Sequence, residues 1–324
     1  MDRITRVLAL LLWSHGCGCN FGGSGAADAA GGGSDAGDVD ADVTDASTID
    51  AGPMSIDAST IDAGPTPIDA TVLPPANDVC ANATTISLAT MHSDLATTTA
   101  GATADLAAPC AAAGEPDVFF TFTLTRRELV YADSFGASAN TALYFATTCA
   151  TALAASTTAG DAVCSSGACG TGQSQVTALL SPGTYYLVLA GRGPATIHFR
   201  HAEVGTGSVA PLAQGSSAPS GTTSGTGELF TCDAAGAENA YWWRTCPADP
   251  GGAFTASTCT GTNFDTILSL QIPGSEGVVC DDDTCSFQST VSANLSPGAG
   301  LYVIGVDGFS QAKHGDYTLT AFRP

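Results

Sequence analysis

The chain has one lysine, Lys313, and only nine basic residues in all, against 31 acidic ones; its net charge is −22. Phosphate neutralisation needs clustered Lys and Arg, so this poverty excludes a nucleic-acid partner. It equally excludes docking on anionic lipid through a basic face. Charged residues of both signs make up only 12% of the 324 positions. Long apolar runs are absent too. The longest, Val7–Trp13, is far short of the roughly 20 residues a membrane-spanning helix requires. Catalytic signatures are also missing: there is no His-Glu-x-x-His pair and no Gly-x-Ser-x-Gly elbow. The segment Gly205-Thr-Gly207-Ser-Val-Ala210 mimics a dinucleotide loop, but Pro211 and the Gly/Ser run after it deny the helix that would hold the phosphate.

What is present begins with an address. Arg3 and Arg6 precede the short apolar run, and Ser14-His-Gly-Cys17-Gly-Cys19 follows it, the order of an export signal. Gly16-Cys17 resembles a bacterial lipoprotein processing site, with Cys19 the alternative lipid-bearing residue and Ser14 standing where the family prefers leucine. The expected anchorage is the outer membrane or cell surface through acyl chains, with plain secretion as the other outcome. Residues 20–76 then form a spacer of Gly, Ala, Ser, Asp and Thr; Asn20 to Pro75 holds ten aspartates and no basic residue. Within it a twelve-residue unit starting at Asp45 recurs at Asp57. Such a segment buries too little apolar surface to offset its ordering entropy, so a disordered, extended stalk is expected.

From Asn77 onward, short β-branched and aromatic runs alternate with turn residues, and no helical period is sustained. Asp117–Leu124 puts Phe120, Phe122 and Leu124 on one face. Thr184–Leu189 and Thr196–Arg200 read as a strand pair around Gly191-Arg-Gly-Pro194. The order then repeats: Glu115–Phe120 matches Glu238–Trp243, Asn140–Tyr144 matches Asp265–Ser269, Cys164 and Cys169 match Cys280 and Cys285, and Leu180-Ser-Pro-Gly183 matches Leu295-Ser-Pro-Gly298. The expected fold is therefore all-β: two tandem jelly-roll-like sandwiches, 77–204 and 205–324, with an opening strand of the second too weak to place among Gly205–Gly225.

Asn263-Phe-Asp-Thr-Ile-Leu268, Cys280-Asp-Asp-Asp-Thr-Cys285, Leu301-Tyr-Val-Ile-Gly-Val-Asp-Gly308 and Gly315-Asp-Tyr-Thr-Leu319 are similar to the bacterial pre-peptidase C-terminal (PPC-like) β-sandwich modules. The first copy shares the opening Asn77-Asp-Val-Cys80 but has Ser-Ser-Gly-Ala in place of the acidic turn. The resemblance implies sandwich domains with a non-catalytic accessory or binding role.

Five cysteines fall in each copy, spaced too widely for a structural zinc site, so with an export signal they read as disulfides. Cys80 with Cys110, Cys164 with Cys169, and Cys280 with Cys285 are the expected pairs; Cys246 and Cys259 are further candidates, and one thiol per copy is left over. Cys110 aligns with Cys232, from which the two pairing schemes are expected to differ. Asp281, Asp282 and Asp283, with Asp265 and Asp307 at neighbouring strand ends, form a candidate calcium site, since hard cations take several carboxylate oxygens. His198 and His201 lie three apart in a strand and so face opposite ways. Tyr241-Trp242-Trp243 reads as core or interdomain packing. The sum is a non-catalytic surface lipoprotein that binds a polysaccharide or an envelope protein; the alternative is a secreted hydrolase, or its accessory, with an unrecognised site.

Overall fold

The computed structural model describes residues 72–154, 160–224, 232, 234, 236 and 238–324. The export signal, Cys17, Cys19 and nearly all of the spacer lie outside the described residues. Among the described residues there is no α-helix, and no helix long and apolar enough to cross a membrane; a 3-10 turn covers Cys80–Asn82. The first half contributes β1 (Thr84–Thr85), β2 (His92–Thr98), β3 (Asp117–Leu124), β4 (Glu128–Asp133), β5 (Thr141–Thr148), β6 (Thr151–Ala152), β7 (Cys164–Ser165), β8 (Gln175–Leu180), β9 (Gly183–Gly191) and β10 (Pro194–Glu203). The second contributes β11 (Val209–Pro211), β12 (Gly215–Ser217), β13 (Ser220–Thr222), β14 (Asn239–Thr245), β15 (Gly252–Ser257), β16 (Thr266–Gln271), β17 (Val278–Asp282), β18 (Thr290–Leu295), β19 (Gly300–Gly308), β20 (Asp316–Thr318) and β21 (Thr320–Arg323).

Each half folds two sheets over one core. In the first, β1-β3-β9-β5-β6, with β7 on β5, faces β2-β10-β4-β8. In the second, β11-β14-β19-β16-β17 faces β12-β21-β15-β18, with β13-β20 as a small extra pair. Corresponding strands occupy corresponding places: β1 and β11 are both short and parallel to their neighbours β3 and β14. The alternation expected for Asp117–Leu124 holds, since Phe120, Phe122 and Leu124 point into the first core with Phe145 and Phe199. Tyr241 and Trp243 enter the second core, where the Trp243 ring stacks on Tyr302 at 4.9 Å. The weak opening region of the second half resolves into three short strands: β11 beside β14, β12 antiparallel to β21 and β13 antiparallel to β20.

The expected hairpin around Gly191–Pro194 is corrected. β9 pairs with β3 and β5, and β10 with β2 and β4, so the turn carries the chain from one sheet to the other. Gly191 and Gly193 make that crossing possible with φ of 154° and 103°.

The two sandwiches also share a third apolar layer. Leu129, Tyr131 and Ala202, on the outer face of β4 and β10, and Val204 just after β10 pack against Ala240, Trp242, Leu301 and Val303 on the outer face of β14 and β19. The four sheets therefore stack through three apolar layers, and Trp242 belongs to the middle one. Gln175 Nε2 crosses the same seam to the Thr245 carbonyl at 2.8 Å. At the joint, Gly207 lies so close to the Glu238 carbonyl that a Cβ would sit 1.5 Å from its oxygen, so the glycine that mimics a nucleotide loop serves chain packing instead.

All ten cysteines of the two halves are paired, and the expected pairs are not the ones formed. The bridges are Cys80–Cys149, Cys110–Cys164, Cys169–Cys246, Cys232–Cys280 and Cys259–Cys285. Cys110–Cys164 and Cys232–Cys280 are equivalent under the internal repeat, but the remaining bridges are not, so the two schemes differ as expected. The divergence lies at the next position: Cys285 pairs within its own sandwich, whereas its counterpart Cys169 reaches Cys246 of the other. That cross-link uses the odd cysteine of each half. Cys164 cannot take Cys169 because it sits on β7, beside Tyr144 of β5, where the loop carrying Cys110 covers the sheet.

Candidate functional site: the cleft between the sandwiches

Strand alternation divides the outer face of the sheet β2-β10-β4-β8 into two regions. Ala202 and Leu129 are register partners, as are Arg200 and Tyr131, and His198 and Asp133. On the other side of β10, Arg200 is opposite His92 and His198 opposite Asp94. The apolar end of this face is sealed by the second sandwich. The polar end is not, and a cavity of about 610 Å³ opens there. Its first wall carries His92, Asp94, Asp133, Phe135, His198 and Arg200. Opposite stand Pro247, Pro273, Leu301 and the turn Ser296–Ala299 of the second sandwich. Volume and mixed lining suit a small-molecule site at a domain interface.

The two walls are tied together beside the cavity. Cys246 of the interdomain bridge immediately precedes Pro247. The Glu276 carboxylate forms an ion pair with His92 and accepts the Met91 N–H at 2.7 Å.

Most polar groups of the first wall are satisfied. Asp133 accepts the Tyr131 hydroxyl at 2.7 Å and the Phe135 N–H at 3.0 Å. Burial nevertheless raises its pKa, and the same burial, with the Asp133 charge, raises that of Tyr131 well above the usual phenol. His198 Nδ1 lies 2.8 Å from Asp94. Arg200 is different. Its residue is only 3% exposed, and Nε, Nη1 and Nη2 make no hydrogen bond among the described residues. Burial lowers its pKa to about 10, which leaves the guanidinium charged at neutral pH.

The sequence-derived candidates fall elsewhere. Asp265, Asp282 and Asp283 do converge, with ligand atoms within 4.8 Å of one another, a spacing a hard cation could bridge. The other two do not join them. Asp281 turns to its own loop, accepting the Thr284 hydroxyl and the Thr290 N–H, both at 2.6 Å. The reason is alternation, since Asp281 and Asp282 are successive residues of β17 and point to opposite faces. Asp307 is buried on β19 and accepts the Gly308 N–H at 2.7 Å. The converging group also has a resident counter-charge, for the Lys313 ammonium is 3.6 Å from Asp265. His201, as expected, faces away from His198 and meets Glu128 at 2.6 Å.

Two features were not anticipated. Glu238 and Asp307 form a buried acidic pair in the second sandwich, with pKa values raised by burial to about 8 and about 7; each repulsive charge adds to the rise for Glu238. The other is a buried hydroxyl trio that occurs twice. Ser134 Oγ lies 2.6 Å from Thr141 Oγ1, and Ser174 Oγ donates to the Thr141 carbonyl at 2.6 Å. Thr258, Thr266 and Ser289 repeat the arrangement, with Thr258 Oγ1 2.7 Å from Thr266 Oγ1.

Residues 76–193, the first sandwich without β10, match a T9SS-associated family described as galactose binding domain-like. No curated protein matches the chain.

Proposed function

We propose that this protein is an exported, non-catalytic binding protein whose ligand enters the cleft between its two sandwiches. The observation that carries the reading is the walled 610 Å³ cavity, built from both halves and fixed by a disulfide and an ion pair across the seam. The family match to a galactose-binding-domain-like module supports a binding role and a saccharide as the class of ligand. Five disulfides support an oxidising location. In the finer reading, PPC-like modules are displayed at the cell surface by a lipid on Cys17 or Cys19 and an acidic stalk. Binding of the full chain to an array of neutral and acidic saccharides, repeated with Ala299→Trp to fill the cleft, tests the function. Binding lost in the variant is the expected result; binding that survives it rejects the cleft.

The hydrolase reading draws on the same place, where His198 is oriented by Asp94 and Ser296 lines the wall. Among the described residues no serine hydroxyl hydrogen-bonds to His198, so the nucleophile–base contact that acyl transfer needs is missing. The binding reading is therefore preferred.

A further inference from the structure

Arg200 poses a definite chemical question. A guanidinium on a residue only 3% exposed, with no hydrogen bond among the described residues, is expensive unless its charge and its five donors are met. No nearby carboxylate hydrogen-bonds to those donors: Asp94 is engaged by His198, and Asp133 by Tyr131 and Phe135. Glu276, held by His92 and the Met91 N–H, lends Arg200 its charge but no hydrogen bond. The complement must come from the occupant of the cavity that Arg200 lines. Its planar fork matches a carboxylate in two parallel hydrogen bonds.

The rest of the cleft limits what can carry that carboxylate. A polyanion would be repelled by a chain of net charge −22 and by the acidic groups around the cavity. One negative charge fits the one guanidinium. Asp94 and Asp133 still have lone pairs to accept hydrogen bonds from hydroxyls. Phe135 and the prolines Pro247, Pro273 and Pro297 supply apolar surface for C–H faces. We infer that the cleft takes a sugar bearing a single carboxylate, a uronic-acid type of residue, with Arg200 receiving the carboxylate and Asp94 and Asp133 its hydroxyls. This rests on the cleft being the binding site.

Galacturonate and galactose differ only at C6, carboxylate against hydroxymethyl, and are the probes. Titration calorimetry on the full oxidised chain should give galacturonate at least tenfold tighter binding than galactose. Arg200→Gln should bring the two sugars level, and Arg200→Lys, which keeps the charge but loses the fork, should fall between. Arg126→Gln, at an exposed pair with Glu203, should leave the preference intact. Melting curves establish that each variant is folded, and the lysine variant keeps the test open should the glutamine variant unfold. Equal affinity for both sugars, abolished by Ala299→Trp, overturns the carboxylate assignment while leaving the cleft as the site. Galacturonate binding that persists in Ala299→Trp overturns the cleft reading itself. Binding of triglutamate with Arg200 dependence and no binding of galacturonate overturns the sugar and assigns an acidic peptide.

Discussion

Cys169 of the first sandwich is bonded to Cys246 of the second, with Cα atoms 5.6 Å apart, whereas the counterpart of Cys169 in the repeat, Cys285, is bonded to Cys259 of its own sandwich. One duplicated cysteine thus closes a sandwich in one copy and couples two sandwiches in the other. The bridge spans 77 residues of chain, including the whole joint. Replacing both Cys169 and Cys246 by serine should cost about 2–4 kcal/mol, as for other native bridges. The apolar seam around Trp242 remains, so each sandwich should stay folded. Chemical denaturation should then separate into two transitions, where the oxidised parent shows one.

The buried pair Glu238 and Asp307 makes stability depend on pH in a direction opposite to most carboxylates. Their folded pKa values, about 8 and about 7, lie above the unfolded values of 4.5 and 3.8. Between these limits the folded state binds more protons than the unfolded one, so stability falls as pH rises. His201 acts in the same direction. Burial alone would lower its pKa, but the hydrogen bond and charge of Glu128 outweigh that and raise it, so its contribution is also lost with rising pH. The melting temperature should therefore drop by several degrees from pH 5 to pH 8.5. The double substitution Glu238→Gln and Asp307→Asn should flatten most of that slope; a slope unchanged in the double variant would mean the pair is not the source.

How much of this was legible before the fold was known follows from the range of each signal. Alternation is local, so Phe120, Phe122 and Leu124 were placed on one face correctly, and His198 and His201 on opposite ones. The same local rule applied to β17 separates Asp281 from Asp282, and reading the three aspartates as one loop missed it. Sheet order is not local. Thr184–Leu189 and Thr196–Arg200 look like a hairpin because a glycine-rich turn joins them, but their partners β3, β5, β2 and β4 come from far along the chain. The disulfide pairs failed for the same reason, since separations of 26 to 77 residues are set by which strands lie side by side. Arg200 was hidden most deeply. Alternation with Ile197 and Phe199, which enter the first core, places Arg200 on the other face, and nothing local indicates that a second sandwich covers it.

The acidic turn stores repulsion. Burial first, then the charges of Asp283, Asp265 and Asp281, raise the pKa of Asp282. Lys313 relieves only part of this, from 3.6 Å at Asp265. Asp282→Asn should therefore stabilise the second sandwich by roughly 0.5 kcal/mol in chelator at low ionic strength, the scale of exposed charge pairs. The gain should shrink as salt rises and screens the three carboxylates. A destabilised Asp282→Asn protein in chelator would show that the carboxylate makes a needed contact.

The repeated hydroxyl trio predicts that two distant serines behave alike. Ser174 donates to the Thr141 carbonyl, and its own N–H is bound by Ser134 Oγ at 3.0 Å. Ser289 does the same with the Thr266 carbonyl and Thr258 Oγ1, the latter at 3.1 Å. Both serines are fully buried, so no water replaces a lost hydroxyl. Truncation to alanine leaves a carbonyl oxygen short of a partner in each case, a loss of about 1–3 kcal/mol. Ser174→Ala and Ser289→Ala should each fall in that range by denaturant unfolding. The trios lie in separate sandwiches and share no partner, so the double variant should show the sum of the two losses. A double variant that costs clearly more than the sum would mean that strain at one trio is transmitted through the seam to the other sandwich, and that the two halves do not carry their copies independently.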